Sequence, residues 1–357
     1  MRWPVAVHSR SGRRSFGLAP GMAGAPLETM TDANPTEVPE EMDRPQTTAA
    51  RLPVDEAVEI TERIIGNIEE VIVGKRDSIE HLLTAVLANG HVLVEDVPGV
   101  GKTVLARSVA CSVDCNFTRV QFTPDLLPSD VTGVNVYNQK TREFEFQPGP
   151  IFGNIVLGDE INRAPPKTQS AFLEAMEEGQ VTVDGETHQV PDPFVIVATQ
   201  NTVEPNRTYE LPMAQVDRFA KKLSLGYPTE AEESMILDRI VGDHPIDSLT
   251  PVASTEELLK AQATAATIGV TQPIRDYATR LTRYTREHAQ LGASPRGTIS
   301  LLRTSQARAL LDGREYVIPD DVQREAQAVL AHRVRSDGTT GDGESIVTSA
   351  LDNVPVE

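Results

Sequence analysis

Apolar residues recur at helical spacing in "VDEAVEITERIIGNIEEVIVG", through Val58, Ile64, Ile65 and Ile68, with Gly74 placed to stop the helix. The segment "RDSIEHLLTAVLANG" repeats the scheme and ends at Gly90. The period then changes. "HVLVED", "GNIVLGDE" and "PFVIVATQN" are short apolar runs bounded by turn residues or closed by polar ones, and they read as buried strands; "FTRVQFT" is a further strand. Between them, "KTVLARSVACSV" and "KTQSAFLEAMEEG" read as helices, the second stopped by Gly179. Apolar strands alternating with helices predict an α/β fold with a parallel sheet covered on both faces. Two segments depart from this rhythm. "VTGVNVYNQKTREFEFQPGPI" and "QVTVDGETHQV" alternate and carry turn residues, so each predicts an inserted hairpin, the second turning at Asp184-Gly185.

After "SLGYP" the strand signal fades. Thr229 and Glu232 spell a capping box at the start of a helix. Three or four more amphipathic helices succeed it, to about Arg335, and the last stretch, "SDGTTGDGESIVTSALDNVPVE", reads as a flexible tail with room for one short helix. The pattern therefore divides the chain into an extension (1–50), an α/β domain (51–227), a small all-α domain (228–335) and a tail (336–357). The extension is rich in Pro, Glu, Thr and Ala without periodicity, which predicts disorder. It opens with Arg2, Arg10, Arg13 and Arg14 against Glu28, and "GRRSFGL" has the look of a twin-arginine signal. The adjoining "APGMAGAPLETM" is broken by Gly and Pro and too short for an apolar core region, so the expected natural start is Met22 or Met30.

The 357 residues carry 52 Asp and Glu against 33 Lys and Arg, a net charge of -19. Naked nucleic acid requires a basic face, so it is not an expected partner. Such a surface keeps a protein soluble in concentrated salt, which points to a halophilic source. No run of eighteen apolar residues occurs, so no membrane helix is expected. Cys111 and Cys115 would share a face if their stretch were helical, and no further ligands cluster with them; reduced thiols and a cytoplasmic setting are expected.

The candidate chemistry starts in "VLVEDVPGVGKT", Val92 to Thr103. A strand, a tight turn through Pro98, Gly99, Val100 and Gly101, and a helix from Lys102 are the context of a phosphate-binding loop. Backbone N–H groups and the helix N-terminus attract the anion. Lys102 is placed for the β- and γ-phosphates, and the Thr103 hydroxyl for Mg²⁺. Asp96 replaces the first glycine of the G-x-x-x-x-G-K-[ST] pattern. Its carboxylate is expected to point away from the phosphates, since two anions in contact weaken binding. "NIVLGDEIN" ends a strand in Asp159, suited to hold Mg²⁺, and Glu160, suited to act as general base. Asn201 closes another strand and is placed to orient water. Arg218 in "AQVDRF" and Arg296 in "GASPRG" are candidates to neutralise charge on a transferring phosphoryl group.

"DVPGVGKT", "IVLGDEINRAPPKTQSAFLEAMEEGQVTVDG", "VIVATQN", "ELPMAQVDRF" and "GASPRG" together resemble the MoxR family of AAA+ ATPases, over about residues 55–335. The resemblance implies ATP and Mg²⁺ as ligands, Glu160 as the Walker B acid and Asn201 as sensor 1. Arg218 would be an arginine finger reaching a neighbouring subunit's ATP. Arg296 would be sensor 2, contacting the γ-phosphate of its own subunit from a helical lid. Val73 and Gly74 in "VIVGK" would lie near adenine, and the hairpins would be the helix-2 insert and the pre-sensor-1 hairpin. It also implies a hexameric ring acting like a chaperone on protein complexes, with partners that contain a von Willebrand factor A domain. Besides Asp96, Thr202 stands where "QNP" is more usual. Arg163 is expected at a subunit interface or the γ-phosphate. A magnesium-chelatase-like motor subunit is the alternative, although "INRAPPKTQ" points away from it. A DNA motor would put basic residues on the hairpins, and "NQKTREFEF" and "TVDGETHQV" are mixed or acidic. A binding module without turnover would be free to lose Glu160, Asn201 and Arg218.

Overall fold

Alternation along the central strands decides how the molecule is layered. β1 (Val92–Asp96), β5 (Ile155–Asp159) and β8 (Val195–Asn201) each send successive side chains to opposite faces. Val92, Val94, Ile155, Leu157, Val195 and Val197 join one core, while Leu93, Val156, Ile196 and Ala198 join another. These strands, with β2 (Phe117–Gln121) and β9 (Lys221–Leu223), form a five-stranded parallel sheet in the order β2-β5-β8-β1-β9. The computed structural model describes residues 50–201, 209–240, 244–336 and 342–356. The expected extension, except Ala50, and Thr202 lie outside the described residues.

Helices cover both faces, as the unbroken apolar strands require. α1 (Val54–Glu69), α2 (Arg76–Leu87) and α3 (Lys102–Ser112) contribute to the first core. α1 ends at Glu69, short of Gly74, which instead takes a left-handed turn (φ 69°) before α2. α3 ends at Ser112, so Cys111 and Cys115 do not share a helix face; both thiols are free. α4 (Pro128–Thr132) precedes the hairpin of β3 (Gly133–Asn138) and β4 (Glu143–Pro148). α5 (Pro166–Glu178) covers the second core and leads into the hairpin of β6 (Gln180–Val183) and β7 (Glu186–Gln189), which turns at Asp184-Gly185. Gly158 lets α5 approach: a Cβ there would stand 2.8 Å from the Phe172 ring.

A short α6 (Met213–Val216) precedes β9, and the described elements beyond it are helical: α7 (Glu230–Ile240), α8 (Pro245–Ser248), α9 (Thr255–Ala265), α10 (Gln272–His288), α11 (Pro295–Leu311), α12 (Pro319–Leu330) and α13 (Gly343–Asn353). The Thr229–Glu232 capping box forms, with Glu232 Oε2 accepting from Thr229 N at 2.7 Å. The expectation of a flexible tail is corrected. Asp342 caps α13, which buries Ile346, Val347 and Ala350 and packs on α10 and α12. The late helices share one continuous core with α1, α2 and the sheet.

A buried ionic cluster ties these layers. Lys221 of β9 and Glu325 of α12 are fully buried and paired. Arg308 of α11 bonds Glu325 at 3.1 Å and Glu80 of α2 at 2.7 Å. Buried charge is tolerable only when paired. Burial pulls Lys221 down to about 8. Burial would neutralise Glu325, but the charges of Lys221 and Arg308, with the Lys221 hydrogen bond, outweigh it and hold its pKa below the usual value. His81 is kept neutral, pushed to about 4 first by burial and then by Lys221.

Candidate active site

The strand order collects the candidate residues at the C-terminal ends of β1, β5 and β8, where ligands meet open α/β sheets. Asp96 pairs with Asn201 across β1 and β8, and Gln121 with Asp159 across β2 and β5. Gly99 (φ 87°) and Gly101 (φ 92°) hold left-handed backbone between β1 and α3. No atom stands within 4 Å of a Cβ built at either position, so conformation rather than crowding calls for glycine. Pro98 and Gly99 are exposed, while Val100 packs on the core and anchors the loop. Gly101 caps α3 without a side-chain bond, which leaves N–H groups of the first turn for an anion.

Lys102 is buried at the start of α3. Its Nζ donates to the Asp96 carbonyl at 2.9 Å and to Asn201 Oδ1 at 3.0 Å. Burial lowers its pKa, against the opposing pull of Asp96, Asp159 and Glu160. Asn201 Nδ2 in turn donates to Glu160 Oε1. Lys102, Asn201 and Glu160 are thus one chain of contacts. Glu160 Oε2 accepts from Gln121 Nε2 at 3.0 Å and Arg163 Nη1 at 2.6 Å. Its backbone is left-handed (φ 58°), a strain of about 1 kcal/mol for a non-glycine residue. The Thr199 hydroxyl holds it there by accepting from Glu160 N at 2.9 Å and donating to Asp159 Oδ1 at 2.7 Å. Arg119 bonds Asp159 Oδ2. Arg119, Gln121 and Thr199 were not among the expected site residues. The signal was present: in "FTRVQFT" the positions Arg119 and Gln121, two apart, face one way.

Asp96 behaves as expected. Its Oδ2 accepts from Ser224 Oγ (3.1 Å), Leu225 N (2.6 Å) and Gly226 N (2.8 Å), and its Oδ1 from Val97 N (2.8 Å). The carboxylate caps the chain that leaves β9 toward α7 and turns away from Lys102 Nζ, which takes the carbonyl. Burial alone would raise its pKa; the N–H groups of Gly226, Val97 and Leu225 and the Ser224 hydroxyl outweigh that and lower it. A lowered carboxyl contributes its stability in full above the unfolded pKa and loses it as pH falls through the folded value. Asp96→Ala leaves partly buried donors unpaired and is expected to cost about 2–4 kcal/mol in chemical denaturation at neutral pH. An unchanged midpoint would show that the contacts contribute nothing. Leu225 also lines, with Gly74, Lys75, Arg76, Asp77 and Ser78, a cavity of about 320 Å³. Val73, next to Gly74 in the chain, is buried. This is the region expected near adenine.

The two arginines lie elsewhere. β9 runs parallel to β1 with Lys221 opposite Val92, so Arg218 precedes the strand at the end away from the phosphate loop. Glu177 lies at that same end, since the adjacent Met176 carbonyl meets His91 Nε2 at 2.9 Å. Arg218 Nη2 pairs with Glu177 Oε2 at 2.7 Å, and Arg296 Nη2 pairs with Glu177 Oε1. The five-residue β1 separates this end from the loop by about 16 Å. Arg296 therefore does not meet the phosphate loop of its own chain, contrary to the expectation for a sensor 2 arginine. The reason is where α11 docks. Ser294, its cap, donates to Asp217 Oδ2 at 2.8 Å, and buried Arg333 donates to Asp217 Oδ1 at 2.9 Å.

Among the described residues no cluster of three or more His, Cys, Asp or Glu side chains could cage a metal. One hydroxyl, Thr103, and one carboxylate, Asp159, fit Mg²⁺, which is usually bound by one or two protein ligands together with substrate phosphates and water. Among the described residues no helix is long and apolar enough to cross a membrane.

The model of the ATPase family associated with various cellular activities (AAA) matches residues 91–221. The AAA lid domain matches residues 282–350, from within α10 into α13. YeaC of Bacillus subtilis (strain 168), an uncharacterized protein, is 54% identical over 274 residues, 76% of this chain and 86% of its own. Chaperone MoxR1 of Mycobacterium tuberculosis is 41% identical over 288 residues, 78% of this chain and 76% of its own. The crystal structure of a candidate ATPase from Cytophaga hutchinsonii matches with a TM-score of 0.78 at 34% identity, covering 84% of this chain and 97% of that one.

Proposed function

Because the chain belongs to the MoxR family of AAA+ ATPases, we propose that it hydrolyses ATP within a ring of its own copies and uses the cycle to remodel partner protein complexes. The contact chain Lys102–Asn201–Glu160 carries the hydrolytic reading. ATP phosphates would enter the open first turn of α3 and take Lys102 Nζ from Asn201 and the Asp96 carbonyl. Asn201, released from Lys102, would orient water. Glu160 would accept the proton of that water. Mg²⁺, held by Thr103 and Asp159, would neutralise phosphate charge when bound.

The ring is supported by the distance between the arginines and the loop of the same chain. Arg218 and Arg296 then both serve a neighbour's γ-phosphate, and Arg163 tethers Glu160 between turnovers. The hexameric ring size, von Willebrand factor A domain partners, a cytoplasmic setting and high-salt operation extend the same reading. The relative named Chaperone MoxR1 and the acidic surface support it. Lys102→Ala tests the nucleotide site. The loss of a charged hydrogen-bond donor is expected to weaken ATP binding at least ~30-fold by equilibrium titration. Wild-type affinity in that variant would remove the site assignment.

A further inference from the structure

Two arginines, one between α6 and β9 and one at the start of α11, converge on one carboxylate at the end of α5. We propose that Glu177 is a positioning residue for ATP hydrolysis in the neighbouring subunit: it holds the Arg218 and Arg296 guanidiniums abreast as one clamp for a γ-phosphate. The proposal rests on the reading that both arginines act across a subunit boundary.

The backbones that carry the two arginines are already welded. Asp217, next to Arg218, accepts from Ser294, two residues before Arg296, and from Arg333. Arg333 is buried and also donates to Asp217 O at 3.0 Å and Phe219 O at 2.6 Å. What remains free is the side-chain conformation. The Arg218 and Arg296 side chains are 29% and 47% exposed, so other solvated rotamers are open to both. Their like charges, together with Arg333, favour separation. Burial above all pulls Arg333 down to about 10, opposed by Asp217 and aided by the charge of Arg296. A single carboxylate with two oxygens, one for each guanidinium, offsets the repulsion and fixes the spacing. Leu173 O fixes Arg218 further, at 3.0 Å from Nη1. Glu177 itself lies far from the phosphate loop of its own chain, so it has no direct part in that chain's nucleotide binding.

Glu177→Ala should lower kcat about 10- to 100-fold, as misplacement by about 1 Å can, with ATP affinity within twofold of wild type. Glu177→Gln keeps shape but loses charge and should fall between. The decisive readout is mixing. Glu177→Ala subunits retain an intact nucleotide site, and Lys102→Ala subunits retain well-held arginines, so the mixture should regain turnover. Arg218→Ala with Lys102→Ala is run beside it. Recovery in both mixtures supports the proposal. Recovery with Arg218→Ala alone overturns Glu177 as a positioning residue and leaves the trans reading intact. No recovery in either co-assembled mixture removes the trans reading and this proposal with it. Unchanged kcat in Glu177→Ala and Glu177→Gln also overturns it. If Glu177→Ala does not fold, the same mixture is made with Glu177→Gln.

Discussion

Glu160→Gln is expected to bind ATP within about twofold of wild type and to lose about 10²–10⁴ of its turnover, the usual contribution of a positioned base. The amide keeps the size of the side chain and its strained backbone, so the fold should survive. It cannot take a proton from water. The carboxylate has about four lone-pair positions. Asn201, Gln121 and Arg163 fill three of them in this structure, leaving one for a water molecule. The substitution also removes the charge that Arg163 pairs with, while Lys102 stays in place. Equilibrium ATP titration and steady-state phosphate release separate binding from chemistry. Near-normal phosphate release would sink the base assignment. The same variant, held in its ATP state, is suited to retain a protein partner for identification.

Much of this site was legible in the sequence because its parts terminate strands. Asp96, Asp159 and Asn201 each close an apolar run, and parallel strands bring such ends to one edge. The change of period marked the sheet, and alternation with Asp184-Gly185 marked a hairpin. The hidden part depends on neighbours in space. Gln121 reaches Glu160, and Arg119 reaches Asp159, only because β2 lies beside β5, and strand order is not a local property. Thr199 looked like one more residue of an apolar run. The tail reads as flexible with room for a short helix; that α13 buries Ile346, Val347 and Ala350 and packs on α10 and α12 depends on partners distant in sequence. Arg296 was misplaced because the docking of α11 is decided by Asp217 and Arg333, 116 positions apart. The family resemblance supplied the residue but not the geometry.

Arg218→Ala is expected to lose about 10³–10⁵ in turnover, the range for an arginine that stabilises a transferring phosphoryl group. The position of Arg218 makes this loss separable from nucleotide binding. It precedes β9 at the far end of the sheet, a five-residue strand away from Lys102, so ATP affinity of the isolated subunit should not change. The substitution should cost little stability, because Arg333 and Ser294 hold the adjacent Asp217 independently. An equal mixture with Lys102→Ala discriminates further. Each site of a closed ring meets one neighbour across a heterologous interface, so about a quarter of the sites would pair an intact loop with an intact arginine, and turnover should return to about that fraction. Phosphate release against mixing ratio gives the measurement, with co-assembly verified by mass. Silence in a co-assembled mixture would place the arginine's action within one subunit. That outcome would require Arg218 to leave Glu177 and cross the length of β1, a rearrangement that the bonds of Asp217 to Ser294 and Arg333 oppose.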